Sequence, residues 1–274
     1  MLSRTRADTG LAHAQRFLDS AAVRLREPSK PKGPLRFGVD LGTATIVIAA
    51  VDAQGEPVYW DFVRAQVVRD GVVVDFHGAV QAVRQLKASS ESALGTQIEA
   101  AATAHPPTVP VSDCRACAFV LQQAGIDCRI LVDEVTAANA ILQVKDGAVV
   151  DVGGGSTGVG VFRGGELATL SDFAGGGHHL DLILAGALKL PVEVAEVHKR
   201  EHGAEVMQLL RPGIERVAES VRRQCAGQDP GTVYLAGGAL QIPGADAVIA
   251  RYLGWKVQGY EHAELITPFG IALS

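Results

Sequence analysis

The chain has 274 residues, a net charge of −5, 47% hydrophobic and 20% charged residues. That length allows two modest domains with their own cores, and the composition is ordinary for a globular protein. The acidic balance excludes a general attraction to nucleic acid or to anionic membranes. No apolar run reaches the roughly 18–20 residues that span a bilayer, and residues 1–33 lack the apolar core of a secretory leader.

Residues 11–26 predict an amphipathic helix, with Ala14, Phe17, Leu18, Ala21, Ala22 and Leu25 on one face. Such a helix either packs on its own body or docks a partner, and periodicity alone leaves both open. Pro28, Pro31, Gly33 and Pro34 form a stiff linker after it. Residues 35–62 predict strand, turn, strand, turn, strand, and residues 67–75 a further hairpin around Asp70-Gly71. Then follow helix 78–94, strand 97–104, a Pro106-Pro107 break, helix 112–124 ended by Gly125, strand 128–132 and helix 135–142. The second half opens on strands from Ala148. Helices are expected at 177–188, 193–200 and 211–226, a strand at 233–236 and a helix at 245–253. Strands first and helices later, in each half, predict α/β layers around a mixed sheet.

Cys114-Arg115-Ala116-Cys117 matches C-x-x-C, but it falls in a helical stretch and no second pair follows at zinc spacing. Ordinary reduced thiols are the expectation, for Cys128 and Cys225 as well.

The two halves share a hairpin. Phe37-Gly38-Val39-Asp40-Leu41-Gly42-Thr43 runs into Ile46–Val51 and a Gly55-Glu56 turn. Val149-Val150-Asp151-Val152-Gly153-Gly154-Gly155-Ser156-Thr157 runs into Val159–Phe162 and a Gly165-Glu166 turn. An aspartate at each strand end suits Mg²⁺, which binds through one or two carboxylates plus substrate phosphates. Gly42, Gly153, Gly154 and Gly155 leave backbone N–H groups unshielded for anions, and Thr43, Ser156 and Thr157 add hydroxyls. Phosphoryl transfer asks for little beyond such positioning and charge neutralisation. Gly153–Gly158 also spells G-x-G-x-x-G, but that fingerprint must open a helix, and residues 159–165 predict a strand and a turn instead. A P-loop motif does not occur. His178 and His179 are adjacent, so they point to different sides of any regular element and cannot easily share a ligand.

These hairpins resemble the two phosphate motifs of the actin-like ATPase superfamily, which includes actin, hexokinase, DnaK-type chaperones, MreB and FtsA. Further segments match in order. Asp133-Glu134-Val135-Thr136-Ala137-Ala138 is similar to the first connecting helix, with Val135 at the usual proline. Ala195-Glu196-Val197-His198-Lys199 resembles the Ala-Glu-x-x-Lys helix beside the adenosine. Val233-Tyr234-Leu235-Ala236-Gly237-Gly238-Ala239 resembles the adenosine loop, and Thr267-Pro268-Phe269-Gly270-Ile271-Ala272 the second connecting helix. Within the superfamily the chain is most similar to the EutJ family of ethanolamine utilisation. That closer match is carried by residues 38–43, 67–76 and Gly176-Gly177-His178-His179-Leu180 running into Leu184-Ala185-Gly186, with the preceding N-terminal helix, although Pro106-Pro107-Thr108 lacks the usual glycine.

The resemblance implies an actin-like ATPase fold: two related ribonuclease-H-like domains around a nucleotide cleft. The expected division is helix and linker 1–33, first domain 34–145, second domain 146–259, and a returning segment 260–274. ATP and Mg²⁺ are the implied cofactors. Asp40 and Asp151 would organise Mg²⁺ through water, and Glu134 would position the attacking water. Gly42, Thr43 and residues 153–157 would take the phosphates. Glu196, Lys199, Gly237, Gly238 and Ala239 would take the adenosine. The implied function is a slowly hydrolysing, chaperone-like or reactivating protein of ethanolamine utilisation, in the cytoplasm or inside a bacterial microcompartment. Its implied client is ethanolamine ammonia-lyase or the shell, met through helix 11–26, with no nucleic acid or membrane partner. A cytoskeletal filament protein and a small-molecule kinase are the alternatives. The kinases of this superfamily carry large substrate-binding insertions, for which the motif spacing leaves little room.

Overall fold

The computed structural model describes residues 2–69, 72–107, 111–226 and 228–274, so the Asp70-Gly71 turn and Thr108 lie outside the described residues. The chain divides into two units, one of residues 1–143 with 265–274 and one of residues 144–264.

In the first unit, α1 (Leu2–Ala22) precedes three antiparallel strands, β1 (Arg36–Leu41), β2 (Thr45–Val51) and β3 (Pro57–Arg64). A small ribbon, β4 (Val68–Arg69) with β5 (Val72–Val73), leads into α2 (Phe76–Leu94). Then come β6 (Ala100–His105), α3 (Val111–Gln123), β7 (Asp127–Asp133) and α4 (Glu134–Leu142). The sheet order is β3-β2-β1-β6-β7, with β6 and β7 parallel to β1. Ile46–Val51 of β2 is buried without a break, as expected for a strand covered on both faces. Asp75 opens α2 by accepting from the Gly78 N–H at 2.8 Å, and Gly95 closes it in the left-handed conformation.

The second unit repeats this plan. It holds β8 (Gly147–Val152), β9 (Ser156–Arg163), β10 (Glu166–Ala174), α5 (Gly177–Leu188), α6 (Val192–Glu201) and α7 (Gly203–Gln224). After these come β11 (Thr232–Ala236), α8 (Ala245–Leu253) and β12 (Lys256–Gln258). Its sheet order is β10-β9-β8-β11-β12, antiparallel on one side of β8 and parallel on the other, strand for strand the topology of the first unit. A closing helix, α9 (Ile266–Leu273), belongs to the first unit and packs on α4 and β1.

Two helices differ from expectation. The N-terminal helix starts at Leu2 and stops at Ala22, short of residue 26. The apolar periodicity runs on to Leu25, but the edge strand β3 captures the chain there: Leu25 bridges Trp60, the Arg26 N–H donates to Trp60 O at 2.9 Å, and Arg26 pairs with Asp61 at 2.6 Å. Helix α7 begins at Gly203, eight residues before the expected start, and continues through Pro212. Its buried stripe of Val206, Leu210, Ile214, Val217 and Val221 is continuous across the proline, so packing outweighs one lost hydrogen bond.

The apolar face of α1 is spent on its own unit. Ala14, Leu18 and Ala21 are fully buried, Phe17 meets Phe269 edge-on at 5.6 Å, and the Trp60 indole N–H donates to Ala21 O at 3.0 Å. Leu18→Ala is expected to cost about 2–5 kcal/mol in denaturant unfolding, the range for a buried leucine. A loss below about 1 kcal/mol would mean that α1 is dispensable to the fold.

Among the described residues no helix is long and apolar enough to cross a membrane.

Candidate functional site

In the first unit the registers Val39↔Thr103, Thr103↔Leu131 and His105↔Asp133 bring the carboxyl ends of β1, β6 and β7 to one edge. Asp40 is the penultimate residue of β1, and Glu134 is the first of α4, immediately beyond β7. Asp133 caps α4 by accepting from the Thr136 N–H at 2.8 Å, which fixes where Glu134 leaves the strand. Thr103 donates to Val39 O at 2.7 Å and ties β6 to β1 one residue before Asp40. The Cys117 thiol reports both acids: burial pushes it up to about 12, and Cys114, Glu134 and Asp40 add to the rise. Cys114 and Cys117 are buried free thiols, and so protonated a sulfur is no nucleophile. Gly42 turns tightly after β1, where a Cβ would lie 2.8 Å from Thr45 O, and Thr43 is half-buried beside it.

The second unit has the corresponding edge. Asp151 occupies the position in β8 that Asp40 has in β1, is 6% exposed, and lies in register with Ala236 of β11. Gly237 follows with φ +83°, and a Cβ there would sit 2.4 Å from Asp151 Oδ1 and from Val152 O. Only glycine allows the chain to turn so close to the acid. Ala239 N–H then donates to Val152 O at 3.2 Å, so residues 237–239 are laced to the end of β8.

The triple-glycine loop is braced from α5. Gly177 N–H donates to Gly153 O at 2.9 Å, His178 N–H to Gly154 O at 2.8 Å, and Gly175 N–H to Gly155 O at 2.8 Å. A Cβ on Gly176 would fall 2.3 Å from Gly153 O. Of the expected phosphate donors, Gly153 gives its N–H to Ser156 O at 3.0 Å, and the buried Thr157 hydroxyl donates to Gly175 O at 2.6 Å. These two therefore shape the loop, while Gly154 and Ser156 are only half-buried. The rings of His178 and His179 are exposed and 6.4 Å apart.

Glu196 and Lys199 do not pair with each other. Glu196 is 3.4 Å from Arg200, whereas Lys199 is 7% exposed and pairs with Asp181 of α5 at 2.7 Å. Lys199 Nζ also donates to Gly177 O at 3.2 Å. Burial pushes the Asp181 carboxyl up; Lys199 opposes that rise and Glu196 adds to it. Asp181 escaped the sequence reading. The signal available was indirect: a lysine on the inner face of α6 requires an acid, but nothing local says which. The first unit also holds a cavity of about 410 Å³ lined by Arg26, Tyr59, Asp61, Phe62 and Ser89 among others, with none of the site acids in its wall.

Each unit sets a carboxylate at a strand end beside a glycine that leaves no room for a side chain, Gly42 after Asp40 and Gly237 against Asp151, and a carboxylate beside bare backbone suits Mg²⁺ and phosphate. Two units of one strand order, each with an acid at the carboxyl edge of its first strand, define an actin-like α/β protein. The family model of the cell division protein FtsA matches residues 148–269. The chain is 38% identical over 260 residues to the ethanolamine utilization protein EutJ of Salmonella typhimurium, covering 94% of this chain and 92% of that one. It is 37% identical over 270 residues to EutJ of Escherichia coli, covering 96% of each. The crystal structure of EutJ from Carboxydothermus hydrogenoformans superposes with a TM-score of 0.91 at 41% identity, over 96% of this chain and 98% of that one. MreB5 of Spiroplasma citri bound to AMPPNP superposes with a TM-score of 0.71 at 15% identity, over 88% and 95%, a likeness of fold alone. The chain belongs to the EutJ family of ethanolamine utilisation proteins.

Proposed function

We propose that this protein binds ATP with Mg²⁺, hydrolyses it slowly, and uses its nucleotide state to act as a chaperone or reactivating factor on a protein of ethanolamine utilisation. The observation carrying this reading is that Asp40 and Asp151 occupy one position in two units of identical strand order. In the proposal Asp40 and Asp151 hold Mg²⁺ through water, and the ion, when bound, neutralises phosphate charge. Gly42, Thr43 and the loop 153–156 hold the phosphates by N–H and hydroxyl donors, with Thr157 as a buttress. Glu134 orients the attacking water. Residues 237–239, Glu196 and Lys199 bound the adenosine.

The proposed client is the ammonia-lyase or the shell of a microcompartment. Because Ala14, Leu18 and Ala21 are buried, α1 would meet it through the outer face bearing His13, Arg16 and Asp19. Calorimetric titration with ATP, with and without Mg²⁺, tests the nucleotide reading. Mg²⁺-dependent binding with phosphate release below about 1 per second is expected, under the usual enzymatic range. No binding at millimolar ATP would overturn it. Pelleting on addition of ATP would favour the filament alternative.

A further inference from the structure

We propose that Asp181 is a positioning residue of the nucleotide site: its carboxylate fixes the Lys199 ammonium on the Gly177 carbonyl and so sets the loop 153–155. This rests on the nucleotide reading above. Asp181 lies one turn beyond Gly177 on α5, so both face the same ammonium from one side of the helix. Lys199 Nζ stands 2.7 Å from Asp181 Oδ1 and 3.2 Å from Gly177 O. The same Gly177 gives its N–H to Gly153 O at 2.9 Å, and the next N–H goes to Gly154 O at 2.8 Å. An unbroken polar chain therefore runs from α6, through the first turn of α5, to the triple-glycine loop. A Cβ on Gly177 would also meet the Ala239 Cβ at 3.2 Å, so the clamp abuts the loop proposed for adenosine.

Asp181 and Lys199 are 6% and 7% exposed. Desolvating two charges is costly, and a packed apolar pair would serve stability as well or better. A buried pair is best justified where it fixes register, and here the register fixed is that of α5 against the loop. Without the carboxylate, the lysine keeps a carbonyl acceptor but loses the partner that holds it there.

Amide hydrogen exchange of the nucleotide-free protein, together with ATP and adenosine affinities, tests the inference. In Asp181→Asn the amides of Gly177 and His178 are expected to exchange about tenfold faster while those of β8 and β11 keep their protection. Adenosine affinity is expected to fall with the release of Lys199, and ATP affinity about tenfold further, since the phosphate loop loosens as well. Asp181→Glu should recover most of both. If Asp181→Asn does not fold, the double variant Asp181→Asn, Lys199→Gln removes the stranded charge, and the same local rise in exchange is expected. Unchanged exchange at 177–178, or an equal rise across the whole unit, would overturn the clamp even where ATP binds. Failure of the unsubstituted protein to bind ATP would strike the nucleotide reading, with the exchange arm still deciding whether the clamp exists.

Discussion

Gly270→Ala is expected to destabilise the first unit by more than about 3 kcal/mol, or to prevent its folding, as read by circular dichroism in denaturant. A Cβ on Gly270 would lie 1.9 Å from Ala137 O and 2.5 Å from its carbonyl carbon, with Ala138 N at 3.3 Å. All three are backbone atoms of α4, so no side chain can swing aside. The surroundings cannot yield either, because Ala137, Ala138, Phe269 and Ile271 are all fully buried. The two helices cross where one has no side chain, and any atom added there must push α9 off α4. Gly186→Ala is the control. It lies in α5 with nothing within 4 Å of its Cβ position, and alanine there should stabilise by about 0.5–1 kcal/mol. Equal effects at the two sites would refute the close crossing.

Asp151→Asn is expected to abolish Mg²⁺-dependent stabilisation by ATP while leaving the fold of the free protein nearly unchanged. Asparagine keeps the shape that Gly237 accommodates, and removes the charge while exchanging one acceptor oxygen for an NH2 donor. For a ligand at 100 times its dissociation constant the stabilisation is about 2.7 kcal/mol. In a chain of this size that is a rise of several degrees in Tm, about 2–4 °C per kcal/mol. The expected shift for the variant is none. Retention of the full shift would mean that the Asp151 charge takes no part in binding.

Much of this was legible from residues alone, and the failures have physical causes. The duplicated hairpin could be read because strand alternation, an acid and a glycine turn are all local in sequence. Helix α5 was placed at its observed bounds, with Gly175–Gly177 marking its start. The end of α1 was misjudged because Leu25 obeys helical periodicity while β3 offers it unpaired backbone, a contact between residues 35 apart in the chain. Helix α7 was started late because Pro212 is a strong local signal, whereas the stripe that overrides it is formed by tertiary packing. The three-residue strand β12 has too short a pattern to detect.

The site divides in the same way. Asp40, Asp151 and the glycines belong to patterned turns. Residues 237–239 fell at the edge beside Asp151 because a strand followed by Gly-Gly announces a close turn. What no pattern gave was the direction of hydrogen bonds. Thr157 turns its hydroxyl to Gly175 O, and Lys199 forms its ion pair with Asp181, each partner eighteen positions away. Partner choice among buried polar groups is settled by three-dimensional proximity, for which a single sequence holds no ruler.

The most direct measurement is a crystal structure of the protein grown with Mg²⁺ and a non-hydrolysable ATP analogue. The account predicts density for the analogue with its phosphates in hydrogen-bonding reach of both the Gly42-Thr43 turn and the loop 153–156. It also predicts a metal ion joined through water to Asp40 and Asp151. Analogue density lying elsewhere, or phosphates touching neither loop, would contradict it.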